Sequence, residues 1–248
     1  KQLVPAAWVE AATARQTSNG SNPNSDWDQG YGYQFWRCRH GAYRGDGAFG
    51  QFCIVMPEQD AVMAITSGVK DLQKVLNVFW DTLLPAMKTG RLPANPQSRS
   101  QLQKRLAGLA LPTQEGSATS PLATKVVGRK FDFPSNPLKV EEVSLEPSGD
   151  GIAMGLFMRM NGEEHRISCG SGKWERGRFP SAMGSVEVVA ASGAWQGEDT
   201  YSAKLCYYEM PMCLTIKLRF AGDQVFLAAE PHVGFGENKP PELVGRSH

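Results

Sequence analysis

Apolar residues along this chain fall mostly into short runs bounded by turn residues, and they adopt a helical period in only a few places. Pro5 to Arg15 is one: Trp8, Val9 and Ala12 recur at helical spacing, and Pro5 suits a first turn. Asp71–Met87 is the clearest: Leu72, Val75, Leu76, Phe79, Trp80, Leu83 and Leu84 mark one face of a helix packed on a sheet. Before it, the tracts Phe52–Met56 and Ala61–Ile65 read as buried strands. From Thr89 to about Ala123 proline, serine and glutamine dominate, predicting a linker with one short amphipathic turn near Leu102–Leu109.

From Lys125 to Val233 the pattern is β throughout. Eight strands are predicted: Val126–Phe133, Lys139–Glu146, Ile152–Met160, Glu163–Cys169, Val186–Ala191, Thr200–Tyr208, Cys213–Phe220 and Gln224–Ala229. Turns separate them at Ser148-Gly149-Asp150, Asn161-Gly162, Gly197-Glu198-Asp199 and Gly222-Asp223, and Asn-Gly between two runs is a strong hairpin signal. Such a series favours a closed antiparallel barrel, which leaves no sheet edge bare. The expected fold class is α+β: residues 1–88 as an antiparallel sheet with flanking helices, 89–121 as linker, 122–240 as the barrel.

Composition is that of an ordinary globular protein, and a net charge of +1 argues against a dedicated nucleic-acid or anionic-membrane surface. No apolar run approaches a membrane span. The cysteines, Cys38, Cys53, Cys169, Cys206 and Cys213, are odd in number and lack CxxC spacing, which favours a reducing compartment over a disulfide framework. Histidines 40, 165, 232 and 248 are scattered, so no metal site is expected, and no cofactor motif is present. Lys1 opens on sequence that reads like the middle of a folded protein, predicting an internal start. The cytoplasm is slightly favoured; an upstream signal would place the protein in the periplasm or outside the cell.

Residues 30–68, GYGYQFWRCRHGAYRGDGAFGQFCIVMPEQDAVMAITSG, run strand, glycine-rich turn, apolar strand, Pro-Glu-Gln-Asp turn, apolar strand, and the Asp71 helix follows. This order resembles the closing part of the β-lactamase-related serine hydrolases: class C β-lactamases, DD-peptidases, β-lactamase-type esterases and 6-aminohexanoate-oligomer hydrolases. The resemblance implies attack of a serine on an ester or amide carbonyl through an acyl-enzyme. It also implies a Lys-Thr-Gly-like strand lining the pocket, and the stretch from His40 to Gln51 stands in that place. No literal Lys-Thr-Gly is there; His40-Gly41-Ala42 and Tyr43-Arg44-Gly45 could each fill it. The implied oxyanion-side N–H comes from around Gly47 or Ala48, where small residues leave room for an acyl group. His40 is a candidate proton or hydrogen-bond donor, or a plain turn residue. Arg44 and Asp46 either position substrate or pair with each other or with solvent.

Two literal motif matches point elsewhere. Ser67-Gly68-Val69-Lys70 spells Ser-x-x-Lys but ends a strand instead of opening a buried helix. Lys88-Thr89-Gly90 spells Lys-Thr-Gly but ends a helix, where glycine is a stop signal. Arg44-Gly45-Asp46 spells an integrin tripeptide by chance, Gly170-Ser171-Gly172 reads as a turn, and the sequon Asn19-Gly20-Ser21 has meaning only in a eukaryotic secreted context. Glu141-Glu142 and Glu163-Glu164 read as solvated strand ends.

No catalytic nucleophile is assigned within residues 1–248, so these residues alone are expected to be inactive. The partners expected are a small ester or amide, with no nucleic acid and no membrane span; a homo-oligomer is left open. The segment SGAWQGEDTYSAKLCYYEMPMCLTIKLRFAGDQVFL resembles a β domain appended to some of these hydrolases, with no activity that carries over. Trp174, Trp195, Tyr201, Phe157 and Phe220, and Met154, Met158, Met160, Met210 and Met212, are expected in its core. The alternative to a catalytic role is a ligand- or peptide-binding barrel, recognisable by an open apolar cavity with a few polar groups.

Overall fold

The computed structural model describes residues 2–88, 90–148, 153–181, 183–235 and 241–247. The chain divides into two compact units, residues 1–107 and 108–248.

In the first unit, α1 (Ala6–Thr13) follows Pro5 and buries only Ala12. A four-stranded antiparallel sheet follows, in the order β1 (Trp36–Arg37), β2 (Tyr43–Gly47), β3 (Gln51–Met56), β4 (Ala61–Ile65). Its register sets Arg44 opposite Ile54 and Asp46 opposite Phe52. Strand alternation therefore gives two unlike faces. One carries Phe52, Ile54 and Met56, which pack with Leu76, Phe79 and Trp80 of the helical segment that follows. The other carries Gly45, Gly47, Cys53, Val55, Val62 and Ala64; Cys53, Val62 and Ala64 are exposed.

That helical segment is not the uniform helix its period predicts. α2 (Leu72–Val78) starts at Asp71, whose carboxylate accepts the Lys74 N–H. A π turn over Phe79–Leu83 and a 3₁₀ turn over Leu84–Ala86 follow. The widened turn lets consecutive residues Phe79 and Trp80 both face the core, rings 4.8 Å apart. Pro85, which has no N–H to give, follows at once. The predicted linker holds a full helix, α3 (Pro96–Ala107), with no buried residue.

The second unit contains ten strands among the described residues, two more than predicted. After α4 (Ala123–Val126) come β5 (Lys130–Asp132), β6 (Val140–Ser148), β7 (Ala153–Met160), β8 (Glu163–Cys169), β9 (Glu175–Pro180), β10 (Val186–Gln196), β11 (Thr200–Tyr207), β12 (Met212–Ala221), β13 (Gln224–Pro231) and β14 (Leu243–Arg246). The additions are β9 and β14. The predicted strand over Val126–Phe133 shortens to β5, because Ala123–Val126 coils and Gly128 takes φ +82°. Ile152, Gly149 and Asp150, part of two predicted features, lie outside the described residues.

Each strand pairs antiparallel with its sequence neighbour, and β14 returns to pair with β5. The result is a nearly closed up-and-down barrel with one seam, between β8 and β9, where no ladder forms among the described residues. The seam is held by side chains, with the His165 ring 6.1 Å from that of Phe179. At one end it is pinned by Gly170, which exchanges backbone hydrogen bonds with Ala191 and Gly193 of β10. Asn161 and Gly162, both at positive φ, make the predicted tight turn between β7 and β8. Residues 111–117 lie along the wall: Leu111 O accepts the Trp174 indole N–H at 3.1 Å, and Ser117 bridges to Trp195.

One end of the barrel is plugged by aromatics. Trp195 lies 5.5 Å from Tyr201 and 6.0 Å from Phe220, which lies 5.5 Å from Phe131. Two expected core aromatics are placed elsewhere. Phe157 faces outward, buried beneath the Arg166 guanidinium at 4.5 Å, and Trp174 is partly exposed on the wall.

Candidate functional site

The stretch singled out in the sequence forms β2 and its flanking turns. The β1–β2 connection bends at His40 and Gly41, both at positive φ, and closes with Cys38 N–H donating to Ala42 O at 2.9 Å. The β2–β3 turn bends at Phe49 and Gly50, again both at positive φ. Ser67 fixes that turn: its hydroxyl donates to Gly50 O at 2.6 Å and reaches Phe49 O at 3.1 Å, and the Val69 N–H donates to Phe49 O.

Arg44 and Asp46 form one ion pair, with Arg44 buried and Asp46 half-buried. The guanidinium donates from Nη2 at 2.9 Å and from Nε at 3.2 Å to the same carboxylate oxygen, Asp46 Oδ2. Its Nη1 donates to Asp26 O at 2.8 Å and contacts Cys38 Sγ at 3.1 Å. The plane lies 4.4 Å from the Trp27 ring centroid and within 6 Å of Trp36 and Phe52. With its side chain fully out of solvent, Arg44 offers no group to a substrate, and of the roles expected for the pair the geometry fits mutual pairing. The Arg-Gly-Asp tripeptide lies within β2, its arginine buried.

The remaining expected residues do not converge. His40 is exposed at one end of β2, its ring 5.1 Å from that of Trp80. Gly47 and Ala48 are at the other end, and a five-residue strand puts about 16 Å between the two ends. No proton path joins them. What β2 does offer is its outer edge. β1 pairs only with Tyr43 and Arg44, so Gly45, Asp46 and Gly47 have no strand partner on that side among the described residues. A Cβ added at Gly45 would meet nothing within 4 Å. Strand pairing on the outer side of β2 thus ends at Arg44, and the face of the sheet is open at Gly45, while at Gly47 an added Cβ would meet Gln51 Cβ at 3.2 Å.

Neither literal motif match assembles a site. The Ser67 hydroxyl is engaged by two backbone carbonyls, and Lys70 is exposed. Lys88 turns back to donate to Pro85 O at 3.2 Å, and Thr89 lies outside the described residues.

No motif or apolar period marks Asp26, which sits in a polar loop yet is completely buried. One carboxylate oxygen receives Arg39 Nε, Gln73 Nε2 and Trp80 Nε1 at 2.7–3.0 Å, and the other receives the Arg39 N–H at 2.9 Å. Burial alone would raise its pKa; the hydrogen bonds from Gln73, Arg39 and Trp80 outweigh it and hold the carboxyl below its ordinary value. Asp26 ties the loop, the β1–β2 turn and the helical segment together, so its role is to hold the sheet's surroundings in place.

All five cysteines are free thiols. Among the described residues no three His, Cys, Asp or Glu side chains come together as a metal-binding set, and no helix is long and apolar enough to cross a membrane. Neither a protein-family model nor any curated protein matches this chain.

Proposed function

We propose that the first unit is the closing sheet of a serine hydrolase of the β-lactamase type, acting on an ester or amide through an acyl-enzyme. In this reading the nucleophile and its lysine are supplied by polypeptide outside residues 1–248. The observation that carries it is the free outer edge of β2 at Gly45–Gly47. An acyl group can lie along that edge as an added strand, taking backbone hydrogen bonds while the glycines keep side chains out of its way. The uncovered apolar face of Cys53, Val55, Val62 and Ala64 supports the same reading, because a lone sheet gains little by presenting such a face to water. His40 and Arg44 are given no catalytic part. Ser67 is a turn-fixing residue.

The test uses nitrophenyl butyrate, a chromogenic β-lactam and a fluorophosphonate label. Residues 1–248 are expected to give no turnover and no labelling. A longer product of the same gene, carrying Ser-x-x-Lys on a helix upstream, is expected to give both, and Gly45→Val in it is expected to lower kcat/KM by at least tenfold. Turnover by residues 1–248 that Ser67→Ala abolishes would overturn the proposal, as would a gene with no such upstream motif.

A further inference from the structure

The two ends of the barrel are closed differently. At the end opposite the Trp195–Tyr201–Phe220 plug lies a cavity of about 550 Å³, within the roughly 300–1,000 Å³ usual for small-molecule sites. Strand number accounts for it. Side chains just fill an eight-stranded barrel, and ten strands enclose a wider interior. The aromatic plug closes one end; at the other, the buried inward side chains of Met158, Phe179, Ile216 and Leu227 form a floor beneath the cavity. These are inward positions by register, so the cavity opens at the barrel's mouth, above its packed core.

Its polar groups are few and electrically balanced. Lys139 and Glu163 contribute one charge of each sign at the mouth, and Lys139 Nζ is held by Asn161 Oδ1 at 3.2 Å. His165 is the imidazole in the wall. It stands inward on β8 beside the seam, and its Nε2 comes no nearer to Glu163 Oε2 than 3.9 Å, too far for a hydrogen bond. An apolar chamber with balanced mouth charges gives no preference to a charged head. It retains a hydrogen-bonding group within reach of whatever enters.

We propose that the barrel binds an uncharged, mainly apolar small molecule with one hydrogen-bonding end, such as an alcohol, ketone or amide, and that His165 receives that end. This goes beyond the hydrolase reading and does not depend on it: an inactive 248-residue chain binds as well as an active longer one.

The probe is N-phenyl-1-naphthylamine, a neutral dye that brightens in apolar surroundings, titrated into the full 248-residue chain and displaced by 1-decanol or by decanoate. Saturable binding at one dye per chain is expected, with 1-decanol displacing it at least as well as decanoate. Ile216→Trp and Ala229→Phe each put bulk into the chamber and are expected to weaken dye binding at least tenfold; circular dichroism and the wild-type Tm shift with 1-decanol keep the result readable if one variant fails to fold. His165→Leu is expected to weaken 1-decanol by about two- to tenfold, the worth of one hydrogen bond, and to leave the dye within twofold. Absence of saturable binding, unchanged binding in both filling variants, or unchanged 1-decanol affinity in His165→Leu would each overturn the proposal. Decanoate binding more than tenfold tighter than 1-decanol would overturn the assignment of an uncharged ligand.

Discussion

Replacing Arg44 tests how the first unit is held together. Arg44→Ala removes every donor from Asp46 Oδ2 that the guanidinium supplies, the donor to Asp26 O, and the cation stacked on Trp27. Asp46 is left as a carboxylate whose side chain is 15% exposed, so water can only partly replace the lost partner. Breaking a buried pair from one side costs about 3–5 kcal/mol, against a typical total of about 5–15 kcal/mol for a whole domain. Replacing both partners by apolar groups is a different perturbation, because no unpaired charge remains. Arg44→Met with Asp46→Leu should therefore cost less than Arg44→Ala alone. Arg44→Lys keeps the charge but loses the fork and the flat stack, and should fall between wild type and Arg44→Ala. Amide hydrogen exchange resolved to β2 and β3 is the assay, since it reads this sheet separately from the barrel. A loss of 3–5 kcal/mol speeds exchange through opening of the sheet by roughly 10²–10⁴-fold. The reasoning fails if Arg44→Ala changes that opening energy by less than about 1 kcal/mol, or if the double substitution costs more than the single one.

Other outcomes follow from the same coordinates. Asp26 has a depressed pKa in the fold, so its contribution is present above the unfolded carboxyl value of about 3.9 and is lost as pH falls toward the lower folded value; Asp26→Asn should remove that acid dependence from the first unit, as read by its exchange profile between pH 2 and 5. Gly193→Ala should destabilise the barrel by about 1–3 kcal/mol or more in chemical denaturation, because its Cβ would stand 1.9 Å from the Tyr201 hydroxyl, whereas Gly45→Ala should be neutral or stabilising by up to about 1 kcal/mol. Cys206 and Cys213 face each other across β11 and β12, and the hydrogen bond from the Cys213 thiol draws the Cys206 pKa below the ordinary range. Cys213→Ala should shift the pH profile of Cys206 alkylation upward, and an unshifted profile would count against that hydrogen bond.

The sequence made the barrel legible wherever strands were long, alternating and closed by tight turns, as in the β7–β8 hairpin at Asn161-Gly162. It hid β9, whose Glu-Arg-Gly-Arg-Phe-Pro reads as a charged loop and which is an outer strand at the seam. It hid β14 as well, four residues set well past the last clear run and made a strand only by the partners they meet on either side. With those two missing, the strand count is eight, a number that fits a packed core and a small ligand cavity equally well. The helix after β4 was visible by its period, but a period cannot show a π turn, because the repeat of apolar residues continues through it. In the candidate site, pairing between Arg44 and Asp46 was legible from their two-residue spacing on a strand. The burial of Asp26 was not, since that depends on donors as distant along the chain as Gln73 and Trp80.

The pairing of Asp132 with Arg246 joins the first and the last strands of the second unit. A ribosome making this protein therefore releases nine strands of this unit before the tenth, β14, can join the two halves of the sheet, and until then β5 and β13 are open templates for neighbouring chains. Chain closure of this span is slow relative to hairpin formation. The protein's yield in a cell should accordingly be governed by how long the nascent sheet waits, so a stop codon placed just before Leu243 should send it into inclusion bodies.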